Sequence, residues 1–110
     1  MKSFTYPSPY GNVLVILKAE LYSATRSLAI HMIDVSDPLS PEPYLSATVC
    51  LPESYLLEDK TTDAFVNTNG DKRILPFLEK NGIATPLDIT AISGYCSYPA
   101  YRFNLDKLTF

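Results

Sequence analysis

Two runs of β-forming residues with only seven residues between them constrain this chain most. Residues 13–20 read Val-Leu-Val-Ile-Leu-Lys-Ala-Glu and follow the turn-forming Pro9-Tyr10-Gly11-Asn12. Residues 28–34 read Leu-Ala-Ile-His-Met-Ile-Asp. A parallel crossover needs about a dozen residues or more, so residues 21–27 predict an antiparallel return. The first run is apolar on both faces until Lys18, which predicts a central strand covered on both sides. In the second run Leu28, Ile30 and Met32 share one face, and Ala29, His31 and Ile33 the other.

Pro38, Pro41 and Pro43 make residues 37–43 a loop. Residues 44–51 then alternate, with Leu45, Ala47, Val49 and Leu51 on one face, and predict a third strand ended by Pro52. Residues 53–63 show no period and read as an extended loop or a short helical turn. Ala64-Phe65-Val66-Asn67 predicts a short edge strand.

Ile74, Leu75, Phe77 and Leu78 form the apolar stripe of a helix over about 71–81, which Asn81-Gly82 ends. Pro76 fits only the first turn, so the helix should start late, near Lys72 or Arg73. Residues 83–87 read as a connector. Residues 89–92 and 95–104 return to β character, and Pro99 makes the last run an edge strand or places a bulge in it. The fold class expected is α+β: an antiparallel sheet of about five strands with one short helix packed on one face. Its core should include Leu14, Ile16, Ile30, Met32, Val49, Ile74, Phe77 and Leu78. At 110 residues a single globular domain over 1–110 is expected, stable without metal or disulfide staples.

The residues present argue against most chemistries. The longest purely apolar run, Val13 to Leu17, is far short of the roughly 20 residues a membrane helix needs. The N-terminal residues lack the apolar stretch of a secretory signal, so the cytoplasm is the expected location. Cys50 and Cys96 are too few and too far apart for a structural zinc, and read as two inert thiols rather than a disulfide. The one histidine, His31, sits in mid-strand and reads as structural. Gly11, Gly70, Gly82 and Gly94 form no phosphate-cradling loop. Thr68-Asn69-Gly70-Asp71 reads as a turn leading into the helix, with Asp71 opposing an anion there. Glu58-Asp59 is the one adjacent carboxylate pair and reads as solvated. The expectation is therefore no catalytic residue, no cofactor and no metal.

Charge and tyrosines point elsewhere. The net charge is -3, and residues 34–63 hold Asp34, Asp37, Glu42, Glu53, Glu58, Asp59 and Asp63 against Lys60 alone. Such an acidic segment repels phosphate backbones, so nucleic acid is not an expected direct partner. Tyr95, Tyr98 and Tyr101 cluster near the C-terminus; on a regular strand Tyr95 and Tyr101 would share a face. Tyrosine is enriched in protein interface cores, although half-buried tyrosines also simply rim a core.

The order of segments resembles a known family. Phe4-Thr5-Tyr6, Pro9-Tyr10-Gly11-Asn12, Leu28-Ala29-Ile30 with Ile33-Asp34, and Ala47-Thr48-Val49-Cys50-Leu51-Pro52 come first. Ala64-Phe65-Val66-Asn67, Asn81-Gly82-Ile83, Gly94-Tyr95 and Tyr101-Arg102-Phe103 follow. The chain resembles an uncharacterised family of small proteins encoded on bacterial conjugative and integrative elements and phages. The loop at 37–43 and Pro76 depart from that pattern. The resemblance implies no catalytic residues; it implies stoichiometric binding, in the manner of proteins that block CRISPR nucleases and other host defences.

The leading expectation is thus a non-enzymatic module that binds a protein partner, with a nucleic-acid-binding defence protein as the specific variant. Asp34, Asp37, Glu42, Glu58, Asp59, Tyr95, Tyr98 and Tyr101 are the candidate contact residues. One alternative is a ligand-binding or enzymatic domain with His31, Cys50 or Tyr95 in a pocket. The other is a homo-oligomer, such as a homodimer, that pairs strands along residues 95–104.

Overall fold

The antiparallel return expected between the first two runs is present in the computed structural model. The structure describes residues 2–23, 26–69 and 71–110, and all their side chains except those of Ser54 and Tyr55. β1 (Phe4–Ser8), β2 (Gly11–Leu21), β3 (Leu28–Asp34) and β4 (Glu42–Ser46) form one sheet in that order. β5 (Thr48–Val49), β6 (Asp63–Val66), β7 (Ala84–Ser93) and β8 (Cys96–Phe103) form a second, in the order β5-β6-β8-β7. All these pairings are antiparallel. The α+β class holds, with two four-stranded sheets in place of one sheet of about five strands.

The two sheets meet where the expected third strand bends. The Ala47 amide donates to the Ile30 carbonyl of β3 (2.8 Å), and the Ala47 carbonyl accepts from the Asn67 amide just past β6 (2.9 Å). One short segment is therefore the outer strand of each sheet in turn, as at the corners of orthogonally packed sheets. Thr48 fastens the corner. Its Oγ1 accepts the Ile30 N–H (3.0 Å) and shares a hydrogen bond with the Tyr22 hydroxyl (2.9 Å). Pro43 sits in β4, an edge strand that tolerates a missing donor, and the register slips between Met32 and Ile33 to take in one extra residue.

The core lies between the sheets and uses the opposite face of β2 from the one expected. Val15, Leu17 and Ala19 belong to the main core, with Val13 packed against it. Lys18 and Glu20 are exposed and mark the other face, which Leu14 and Ile16 share. Leu14 is accordingly 40% exposed, and only Ile16, opposite Ile33, is buried on that side. Ile30, Met32, Ile74, Phe77 and Leu78 take their expected core places. Val49 packs instead in a smaller cluster on the far side of the second sheet, with Leu51, Leu57, Phe65, Ala91 and Ala100.

β6 is not an edge strand: it lies between β5 and β8 with all four residues buried. Ala64 and Val66 join the main core and Phe65 the smaller cluster. β8 is also interior, so Pro99 does not make it an edge. Pairing with β6 ends at Phe65 opposite Ala100, and β7 slips its register between Pro86 and Thr90, opposite Pro99. The bulge therefore lies in β7, opposite Pro99, and not in the last run itself. Asp88, within it, has φ at 58°.

The stretch without a period after Pro52 opens with a 3₁₀ turn over Pro52–Leu56. Helix α1 (Ile74–Lys80) starts late, with Pro76 in its first turn. Its Phe77 ring meets Tyr6 at 4.9 Å and Phe4 at 6.4 Å, and the helix also touches β7, so it fills the open side between β1 and β7. Near the C-terminus Thr109 runs parallel to β2. Its amide donates to the Leu17 carbonyl (2.8 Å) and its carbonyl accepts from the Ala19 amide (2.7 Å).

Candidate partner-binding surface

β7 and β8 form a hairpin whose last ladder pair is Ser93 and Cys96, leaving Gly94-Tyr95 as a two-residue turn. Gly94 has φ at 61° and Tyr95 does not have a positive φ, the pattern of a type II′ turn with glycine at its first central position. This turn drives Tyr95 fully into solvent, and Ile92 beside it is 69% exposed. Residues 96–99 lie beyond the end of the β6 ladder, so the tip stands out as a two-stranded ribbon. Tyr98, opposite Ala91, lies half-buried against the smaller cluster. A hydrogen bond with Cys96 pushes its phenol above the ordinary value.

The tip borders a cleft of about 550 Å³, in which Tyr95, Cys96 and Ser97 face Thr68, Asn69, Asp71 and Lys72. The Thr68 hydroxyl donates to the Ser97 carbonyl (3.1 Å) and ties the two walls together. Asp71 is held from two sides. It accepts from the Tyr6 hydroxyl (2.9 Å), the Arg73 Nε (2.9 Å) and the Arg73 amide (3.0 Å). The Arg73 hydrogen bond holds the Asp71 carboxyl below the usual range. Burial, and then Asp71 itself, pushes the Tyr6 phenol far upward. The turn expected at 68–71 includes Gly70, which lies outside the described residues.

The acidic candidates do not form one patch. Asp34 stands opposite Glu42 in the β3–β4 ladder, and Asp37 follows in the connecting loop. Asp34 and Asp37 also shape that loop, accepting from the amides of Ser36 (2.9 Å) and Leu39 (3.0 Å). Glu58 and Asp59 lie at the other end of β3, where the neighbouring Lys60 carbonyl accepts from the Leu28 amide. The seven residues of β3 put about 20 Å between the two groups. Glu58 lies 3.4 Å from Arg102. Hydrogen bonds from Thr61 hold the Asp59 carboxyl below its usual range. Asp63 contributes nothing to the surface: it is fully buried and grips Arg102 at 2.9 and 3.1 Å.

Tyr101 is withdrawn from the surface. It is 4% exposed, inside the main core, and its hydroxyl donates to Glu79 (3.0 Å). Nor does it share a strand face with Tyr95, which is in the turn. His31 lies on the outer face of the first sheet, 3.3 Å from Glu20. Cys50 and Cys96 are not joined in a disulfide. Among the described residues there is no metal-competent group of three His, Cys, Asp or Glu side chains, and no helix long and apolar enough to cross a membrane. Ile92 is the surface residue the sequence reading missed. The Gly-X pair at 94–95 between two β-type runs was the signal that could have placed it on a hairpin tip.

Fold and surface together define an antiparallel α+β domain that presents an aromatic hairpin tip beside a polar cleft. Residues 16–110 match the family described as a domain of unknown function, DUF4313, and the chain belongs to that family. Neither the curated proteins nor the solved structures hold a match to it.

Proposed function

We propose that this protein acts without catalysis, by binding a protein partner through the tip of its β7–β8 hairpin. The observation that carries this reading is the exposure of both Ile92, near the end of β7, and Tyr95, in the turn fixed by Gly94. Scattered single apolar residues are normal on surfaces, whereas adjacent ones on an ordered projection mark contact sites. Tyr95 offers a large, stiff, amphipathic side chain of the kind enriched in interface cores. Tyr98 and the cleft at Ser97 and Lys72 would supply the polar rim. Within this reading the partner is a nucleic-acid-binding host defence protein. The support is the resemblance to proteins of mobile elements and phages, and the anionic group Asp34, Asp37 and Glu42, which could meet a basic groove.

The test compares immobilised wild type with the Ile92→Ser/Tyr95→Ala double variant in quantitative pull-downs from host lysate. The reading predicts a saturable partner for the wild type, loss of at least about tenfold in the double variant, and retention by Asp59→Asn, at the far end of β3. No saturable partner, or equal recovery by the double variant, contradicts it.

A further inference from the structure

A second cleft, of about 510 Å³, lies on the other side of Arg73, between α1 and the β1–β2 hairpin. Its helix wall is made by Arg73, Pro76, Phe77 and Lys80. These stand at i, i+3, i+4 and i+7, the spacing of one helix face, and Arg73 has helical backbone angles. The face therefore carries a cation at each end and an apolar middle. The ends are about 10 Å apart along the axis, a gap that side chains as long as arginine and lysine can close onto one group. Pro7 and Asn12 form part of the opposite wall.

The charge of this cleft runs against that of the chain. With nine Lys and Arg against twelve Asp and Glu overall, the lining holds two cations and no carboxylate. Asp71 occupies Arg73 only through Nε and the backbone amide; no hydrogen bond among the described residues takes its terminal guanidinium nitrogens. Lys80 makes no ion pair among the described residues. Glu79, the acid next to it, is turned away to Tyr101.

We infer that this cleft binds a small organic anion, its carboxylate or phosphate held between Arg73 and Lys80 and its flat apolar part against Pro7, Pro76 and Phe77. The cleft's volume lies within the range of small-molecule sites, and mostly apolar walls with a few converging polar groups are their usual composition. The site is separate from the hairpin tip, so it stands or falls independently of the protein-binding reading.

The test is amide chemical-shift titration of the full chain with phenyl phosphate, benzoate, inorganic phosphate and phenol, each to about 10 mM, a range suited to fragment-sized probes. The inference predicts saturable shifts at Thr5, Lys80 and Asn81 with phenyl phosphate or benzoate. The stronger of the two tells whether the site takes phosphate or carboxylate. Binding of inorganic phosphate and of phenol should each be weaker by about fivefold or more, and Lys80→Gln should weaken the best probe about tenfold, as loss of one charge-assisted hydrogen bond would. Lys18→Gln, on the outer face of the first sheet, should bind as wild type. Absence of saturable shifts with both aromatic anions overturns the inference, as does equal binding of phenol or undiminished binding by Lys80→Gln.

Discussion

Replacing Thr48 by valine tests the corner on which the two sheets turn. Valine keeps the side-chain volume and suits a strand, but it removes the oxygen that accepts the Ile30 N–H and contacts the Tyr22 hydroxyl. Ile30 is fully buried and Thr48 is 2% exposed, so water cannot replace that acceptor without opening the corner. A buried donor left without a partner costs about 1–3 kcal/mol, and about 2 kcal/mol is the working figure. With an unfolding entropy of roughly 2.1 cal/mol/K per residue, a chain of 110 residues has about 0.23 kcal/mol/K in total. Thr48→Val should therefore lower the melting temperature by about 9 °C. Thr48→Ser keeps the acceptor and gives up one methyl, worth about 0.8 kcal/mol, and should lower it by only about 3 °C. The assay is thermal unfolding followed by circular dichroism, with hydrogen exchange at the Ile30 amide as the local readout. If Thr48→Val melts within about 2 °C of wild type, or above Thr48→Ser, the reasoning about the corner is wrong.

Two further predictions follow from the core. Burial, and then the hydrogen bond to Glu79, pushes the Tyr101 phenol up to about 12. A raised folded-state value stabilises the neutral phenol, so the contribution is complete below the unfolded value near 10 and is lost as pH rises from there through about 12. The urea midpoint of the wild type should fall more steeply between pH 10 and pH 12 than that of Tyr101→Phe; parallel curves would refute this. Phe77→Ala removes the ring that meets Phe4 and Tyr6 on the open side of the sheets and should cost about 3–5 kcal/mol in urea unfolding, so a loss under about 1 kcal/mol would show that α1 does not close that side.

Local pattern carried much of this fold, and long-range placement carried the rest. The return between β2 and β3, the late helix start at Pro76 and the cores of β3 and α1 followed from spacing and period alone. The face of β2 was also legible, because Lys18 and Glu20 lie in phase with Leu14 and Ile16. The apolar run before them masked that phase. The bend at Ala47 was not legible, since alternation through residues 44–51 is the same for one straight strand and for two that turn a corner. β6 looked like an edge because it is short, yet a four-residue strand can be interior when longer neighbours pair across it. Of the candidate surface, Tyr95 was found from composition, whereas Ile92 needed the hairpin. Tyr101 was lost to the core because it shares with Phe103 the face of β8 that packs between the sheets, and the Gly-X turn separates Tyr95 from that face.

Site-directed photocrosslinking tests the central claim most directly. A benzophenone amino acid placed at Tyr95, on the hairpin tip, should yield one saturable adduct in host lysate. The same group at Lys18, exposed on the outer face of the first sheet, should not yield that adduct. No adduct from position 95, or the same adduct from both positions in equal yield, would contradict binding through the hairpin.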